Sequence, residues 1–316
     1  MAKASLTYLY YAMDNPKALK VGDTIGVAAS ASPFDRKKFI RGIQSLENMG
    51  FKVFYRSDIF DQSRYLAGTD SRRAQELGEL FSNQEISAIM FARGGYGSQR
   101  IIPLLDAGFL SKHRKPVIGF SDVTALLTYL RQSAGVPTFY GPVITLLGST
   151  RSEITGKSLL NAITAQGALG KISSEPAKTI KVGKASGKIT GGCLTMINSS
   201  IGTPYELKFE DSILFIEDIG EKVYVLDRML TQLKNCGALA KVKGIIFGSL
   251  IPPEQEPYDV KSMIEDVLRN FHGPVIMDFP AGHIDEFITL PLGADVTLDA
   301  QEESPPIITY NSGILS

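Results

Sequence analysis

The chain has 316 residues, room for one large domain or two of ordinary size. Its 33 Lys and Arg balance 33 Asp and Glu, so it lacks the cationic surplus with which nucleic-acid binders displace counterions from phosphates. With 44% hydrophobic and 21% charged residues it can bury a substantial core, which excludes general disorder. The first half alternates strand and helix signals. The run from Thr24, TIGVAAS, reads as a strand covered on both faces. Asp35 can cap a helix carrying Phe39, Ile43, Leu46 and Met49, which Gly50 ends before a second strand from Phe51. Residues 72–81 read as a helix, and ISAIMFAR as a strand running into Gly94-Gly95-Tyr96-Gly97. A helical stretch through Ile101 and Leu105, the strand PVIGF, Ser121-Asp122 and the helix VTALLTYLRQ follow. Strands spaced by such helices predict βαβ units and a parallel sheet.

One helix is expected over 152–165, and the Gly/Ser/Lys-rich passage after it marks a boundary: an N-terminal α/β domain over 1–165 and a C-terminal mixed α/β domain over 166–316. The second half offers a Gly-rich turn at Gly191-Gly192-Cys193, a strand ILFIED, and a helix through Val225, Met229 and Leu233. After the strand GIIFGS come a helix over 258–271, the strand PVIMDF and several short strand-like runs. Cys193 and Cys236 are too few for a disulfide framework and stand in no metal-ligand spacing, so a reducing compartment and no metal are expected. The first 17 residues show no small-residue cleavage site, and the uncharged stretch between Arg131 and Arg151 is broken by glycines and prolines. These features predict a cytoplasmic protein that does not enter a membrane.

Ligands of open α/β sheets collect at the carboxyl ends of strands. Ser121 stands in a tight strand-to-helix turn, where a serine hydroxyl is exposed beside the outward N–H of Asp122; taken alone, Ser-Asp is more readily an N-cap than a nucleophile. The loop from Arg93 to Ser98 has three glycines able to aim N–H groups at negative charge, without the pattern of a P-loop or dinucleotide fingerprint. Glu217, ending the strand ILFI, can orient a histidine, act as a base, bind a cation or cap a helix. Of three histidines, His113 lies among basic neighbours and His272 in a helix-end turn. His283, following a strand, is the best-placed base. Cys193 at its own strand-to-helix turn is a rival nucleophile, although a small buried cysteine is the simpler account.

These segments, taken in order, resemble the LD-carboxypeptidases, the serine peptidase family that also includes the microcin C-type immunity peptidases. The resemblance is carried by Lys20 to Gly26, Arg93 to Gly97, Gly119 to Asp122, Tyr140-Gly141-Pro142, Gly191-Gly192, Leu214 to Asp218, Asp227 to Leu230, Gly282-His283 and Leu290 to Gly293. It implies a Ser-Glu-His triad falling on Ser121, Glu217 and His283, in a cleft between the domains. Backbone N–H groups of Asp122 and Gly95 would form the oxyanion hole, with no metal or cofactor. The implied reaction removes the terminal D-alanine from murein tetrapeptides, and Arg93 is a conceivable partner for the free carboxylate of that small peptide. A homodimer is also implied. Two departures stand out: Cys193 where an asparagine is expected, and Tyr140 where a histidine often precedes Gly-Pro. The alternatives are a relative that cleaves a peptide–nucleotide or acyl-sulfamoyl amide, and a two-domain binding protein without turnover.

Overall fold

Short apolar runs and capped amphipathic helices build the first half of the chain in the computed structural model, which describes residues 15–316. The reading of the N-terminal segment rests largely on residues 1–14 and lies outside the described residues. β1 (Thr24–Ala28) leads to α1 (Arg36–Asn48), whose start is set by the Asp35 carboxylate accepting the Lys38 N–H at 2.7 Å. Phe39, Ile43 and Leu46 form its buried face. Then come β2 (Lys52–Phe54), α2 (Asp70–Ser82), β3 (Ile86–Phe91), α3 (Ser98–Ile101), α4 (Ala107–Lys112) and β4 (Val117–Gly119). They are followed by α5 (Thr124–Ala134), β5 (Thr138–Tyr140), α6 (Ile144–Leu147) and α7 (Glu153–Thr164). The strands lie in the order β2-β1-β3-β4-β5, all parallel, the doubly wound arrangement that βαβ crossovers generate.

The second half contributes β6 (Gly170–Ser173), β7 (Lys178–Lys181), β8 (Gly183–Cys193), α8 (Leu194–Ser200), β9 (Ser212–Ile219), α9 (Val223–Asn235) and β10 (Val242–Ile251). After these come α10 (Val260–Val267), β11 (Val275–Met277), β12 (Leu290–Leu292), β13 (Asp295–Ala300) and β14 (Ile307–Tyr310). Eight of these strands form a mixed sheet ordered β6-β14-β13-β8-β9-β10-β11-β7, parallel from β8 to β11 and antiparallel on both flanks. The architecture is therefore α/β, with one parallel-rich sheet and one mixed sheet.

Three elements differ from the sequence reading. The passage at 173–188, read from the sequence only as a Gly/Ser/Lys-rich boundary, holds β7 and the first half of β8. Hydropathy is blind to it because its exposed face is held by polar cross-strand pairs: Lys184 with Asp299 at 2.9 Å, Ser186 with Thr297 at 2.8 Å and Lys188 with Asp295 at 3.2 Å. The helix expected over 258–271 shortens at both ends to α10: it starts after Asp259, whose carboxylate caps it by accepting the Ser262 N–H at 2.9 Å, and it ends at Val267 with Leu268 as its C-cap. Gly191-Gly192-Cys193 is the paired end of β8 rather than a turn.

The halves are laced together. α7 ends and β6 begins on either side of residue 165, yet β12 returns to pair antiparallel with β5 and closes the first sheet. Ahead of β12, the Thr150 and Thr155 hydroxyls donate to the Asp285 carbonyl, and the Phe287 and Thr289 N–H groups donate to Thr155 and Ser158 hydroxyls at 2.9 Å each. One apolar cluster runs through Phe120 and Tyr140 of the first half and Phe215 and Phe287 of the second. Among the described residues, no helix is long and apolar enough to cross a membrane.

Candidate active site

Both sheets turn the carboxyl ends of their parallel strands toward one pocket of about 630 Å³. Lys38, Arg93, Gly95 and Ser121 line it from the first half, and Cys193, Asp218 and His283 from the second. β4 ends at Gly119, and Phe120 is still extended before Ser121 turns to φ +63°. A left-handed serine costs roughly 1–2 kcal/mol. It takes the chain from strand to 3-10 turn within one residue, leaving the hydroxyl in the pocket.

The Ser121 hydroxyl lies 3.1 Å from Nε2 of His283, and Nδ1 of His283 lies 2.7 Å from Oε2 of Glu217. Glu217 is wholly buried within β9. Its other oxygen, Oε1, accepts the Tyr140 hydroxyl proton, while the same phenol oxygen accepts the Ser121 N–H at 3.2 Å. The His283 N–H donates to the Ser249 hydroxyl on β10 at 3.0 Å, and the Phe120 ring packs against the imidazole with centroids 4.9 Å apart. Such a hydroxyl–imidazole–carboxylate relay can move a proton off Ser121 while the carboxylate holds the imidazole tautomer.

Beside it runs the glycine loop. Gly94 lies against Ser121, where an added Cβ would come 2.9 Å from the serine Cβ, and Gly95 adopts φ +107°. The Gly95 N–H has no acceptor among the described residues. The loop is fastened by the buried Asp122 carboxylate, which accepts the Ser98 N–H at 2.8 Å and the Gly97 N–H at 3.3 Å, and by Ser32, whose hydroxyl accepts the Tyr96 N–H. Burial pushes the Asp122 carboxyl upward against the pull of those hydrogen bonds. Arg93 lines the pocket and gives one N–H to the Pro33 carbonyl at 2.6 Å.

The remaining sequence candidates fall elsewhere or are chemically quiet. His113 packs on Phe109 and His272 follows α10, and neither lines the pocket. Cys193 does line it, but burial, with the charges of Glu217 and Asp218, pushes its thiol well above the usual range. A thiol shifted in that direction is disfavoured as a thiolate, which counts against Cys193 as the nucleophile. Glu217 caps no helix. Tyr140, Ser249 and the Asp122 side chain escaped the sequence reading as site residues. For Tyr140 a signal existed, since it ends a strand beside the one that delivers Ser121. Among the described residues, no three or more His, Cys, Asp or Glu side chains gather as a metal site.

Fold and site together define a two-sheet α/β protein with a Ser-His-Glu constellation where the strands of both sheets end. Family models described as the LD-carboxypeptidase N-terminal and C-terminal domains match residues 25–141 and 186–298. A Bacillus subtilis relative named "Probable murein peptide carboxypeptidase" is 35% identical, over 92% of this chain and 93% of its own. The microcin C7 self-immunity protein MccF of Escherichia coli is 31% identical over 89% and 92%. Among solved structures, wild-type apo MccF superposes with a TM-score of 0.88 at 28% identity, covering 96% of this chain and 99% of its own. The muramoyltetrapeptide carboxypeptidase of Oxalobacter formigenes gives 0.82 at 27% identity, over 91% and 99%. The chain belongs to the LD-carboxypeptidase family.

Proposed function

We propose that this chain is a serine LD-carboxypeptidase that removes the C-terminal D-alanine from murein tetrapeptides. The observation that carries the proposal is the Ser121–His283–Glu217 relay at the mouth of the glycine loop. Ser121 attacks the carbonyl before the D-residue while His283 takes its proton, and the Asp122 and Gly95 N–H groups receive the oxyanion. The C–N bond then breaks, His283 protonates the departing D-alanine amine, and an acyl ester remains on Ser121. Water, deprotonated by His283, releases the shortened peptide. Glu217 holds the tautomer and balances the imidazolium charge. Arg93 is offered to the substrate carboxylate, its planar fork suiting that group.

Mass spectrometry of L-Ala-D-Glu-diaminopimelate-D-Ala tests this directly. Wild type is expected to remove one D-alanine, Ser121→Ala to fall by about 10⁶-fold in kcat and Glu217→Gln by about 10⁴-fold. Retained turnover in Ser121→Ala would overturn the proposal. The second reading, hydrolysis of a peptide–nucleotide or acyl-sulfamoyl amide, is favoured by the higher structural similarity to MccF, 0.88 against 0.82. Sequence identity leans the other way, 35% against 31%. A tetrapeptide left untouched, with such an amide cleaved by wild type alone, would select that second reading.

A further inference from the structure

Tyr140 ends β5, is fully buried, and neighbours β4, from which Ser121 departs. Its hydroxyl serves two groups at once, accepting the Ser121 N–H at 3.2 Å and donating to Oε1 of Glu217. A phenol has one proton; with that proton on the carboxylate side, a lone pair faces the Ser121 N–H, so the two bonds fit one orientation. The ring cannot swing away. Phe215 and Phe287 pack on it with centroids at 5.1 and 6.1 Å, and a Cβ on Gly192 would already stand 2.9 Å from it.

We propose that Tyr140 is a positioning residue for the reaction, its hydroxyl joining the backbone of the nucleophile to the carboxylate that orients the base. This rests on the reading of Ser121, His283 and Glu217 as a triad. With Oε1 held by Tyr140, Glu217 presents Oε2 to the imidazole in one rotation, so the carboxylate plane and the Nδ1–H bond are set together. The Ser121 N–H is also occupied, so it does not serve an oxyanion, and that task falls to Gly95 and Asp122. Without the hydroxyl, the part-buried Ser121 N–H and a buried carboxylate oxygen would both lose a partner.

The experiment compares wild type, Tyr140→Phe, Glu217→Gln, the double variant and Ser121→Ala. It reads the rate of serine labelling by a fluorophosphonate, kcat and KM on the tetrapeptide, and the thermal midpoint. Tyr140→Phe is expected to lower kcat and labelling together by about ten- to a hundredfold, with KM within about threefold. In the Glu217→Gln background the same change is expected to lower labelling by a clearly smaller factor than in wild type, because the part of its effect that passes through Glu217 is already lost. Wild-type labelling in Tyr140→Phe, or an equal loss in both backgrounds, would overturn the proposal. Ser121→Ala separates the two levels: if it still labels and turns over, the triad reading fails, whereas if it is silent while Tyr140→Phe behaves as wild type, only the role of Tyr140 fails. Should Phe at 140 not fold, 3-fluorotyrosine at that position keeps the ring and makes the hydroxyl a stronger donor. A labelling rate shifted by at least about twofold supports the proposal, and an unchanged rate overturns it.

Discussion

Gly282, the residue before the candidate base, shows how closely the site is built. Its φ is +124°, and a Cβ there would fall 2.4 Å from the Ser249 hydroxyl and 2.5 Å from Oε2 of Glu217. A side chain would therefore meet both the residue that holds the His283 backbone and the one that holds its ring. Gly282→Ala is expected to destabilise by about 2–4 kcal/mol and to lower kcat at least a hundredfold. The thermal midpoint and steady-state kinetics check this, and wild-type values for both would refute it. The glycine was legible in the sequence as the neighbour of a histidine after a strand. Its reason was not, because Glu217 and Ser249 come from two other strands.

At the scale of elements, the glycine loop depends on Asp122. The sequence reading valued this residue for its backbone N–H, but its carboxylate also ties the first turn after β4 to the loop after β3. Asp122→Ala would strand the Gly97 and Ser98 N–H groups in a buried place, at about 1–3 kcal/mol for each. We expect a chain that still folds, with the midpoint lowered accordingly, and a kcat loss larger than that of a distant substitution of equal stability cost. If kcat does not fall, the loop takes no part in the reaction. Caps and apolar faces were legible because their logic is local: Asp35 caps α1 as its side chain allows. β7 and the start of β8 were illegible because their partners are strands rather than sequence neighbours.

At the scale of the whole molecule, a net charge of zero hides local organisation. Arg56, and then Arg72, hold the Asp58 carboxyl down to about 2, and these pairs bridge to Glu76 and Glu79 on α2. The unfolded chain takes up this proton near ~3.9. The folded chain does so only near 2, so the stability contributed is complete above about pH 4 and is lost as the pH falls toward 2. With the Asp58 side chain 29% exposed, the contribution is at most about 1–2 kcal/mol. Asp58→Asn is expected to lower the urea midpoint at neutral pH and to flatten its decline between pH 4 and 2. Curves that stay parallel to wild type would count against this.

The sequence by itself determined the alternation of strands and helices in the first half, the helix starts, and the residues standing where parallel strands end: Ser121, Gly95, Glu217 and His283. The alternation and the helix starts follow from periodicity and side-chain capping, which act over a few residues, whereas joining those four residues into one site is what the family resemblance implied. Tertiary structure alone decided that β12 returns to the first sheet, that burial disfavours the Cys193 thiolate, and that Tyr140 bridges Ser121 to Glu217. Each depends on what faces a side chain across a sheet or a pocket. The Ser121 hydroxyl meets an imidazole 162 residues further along the chain, a proximity set by the packing of two sheets and encoded in no local pattern.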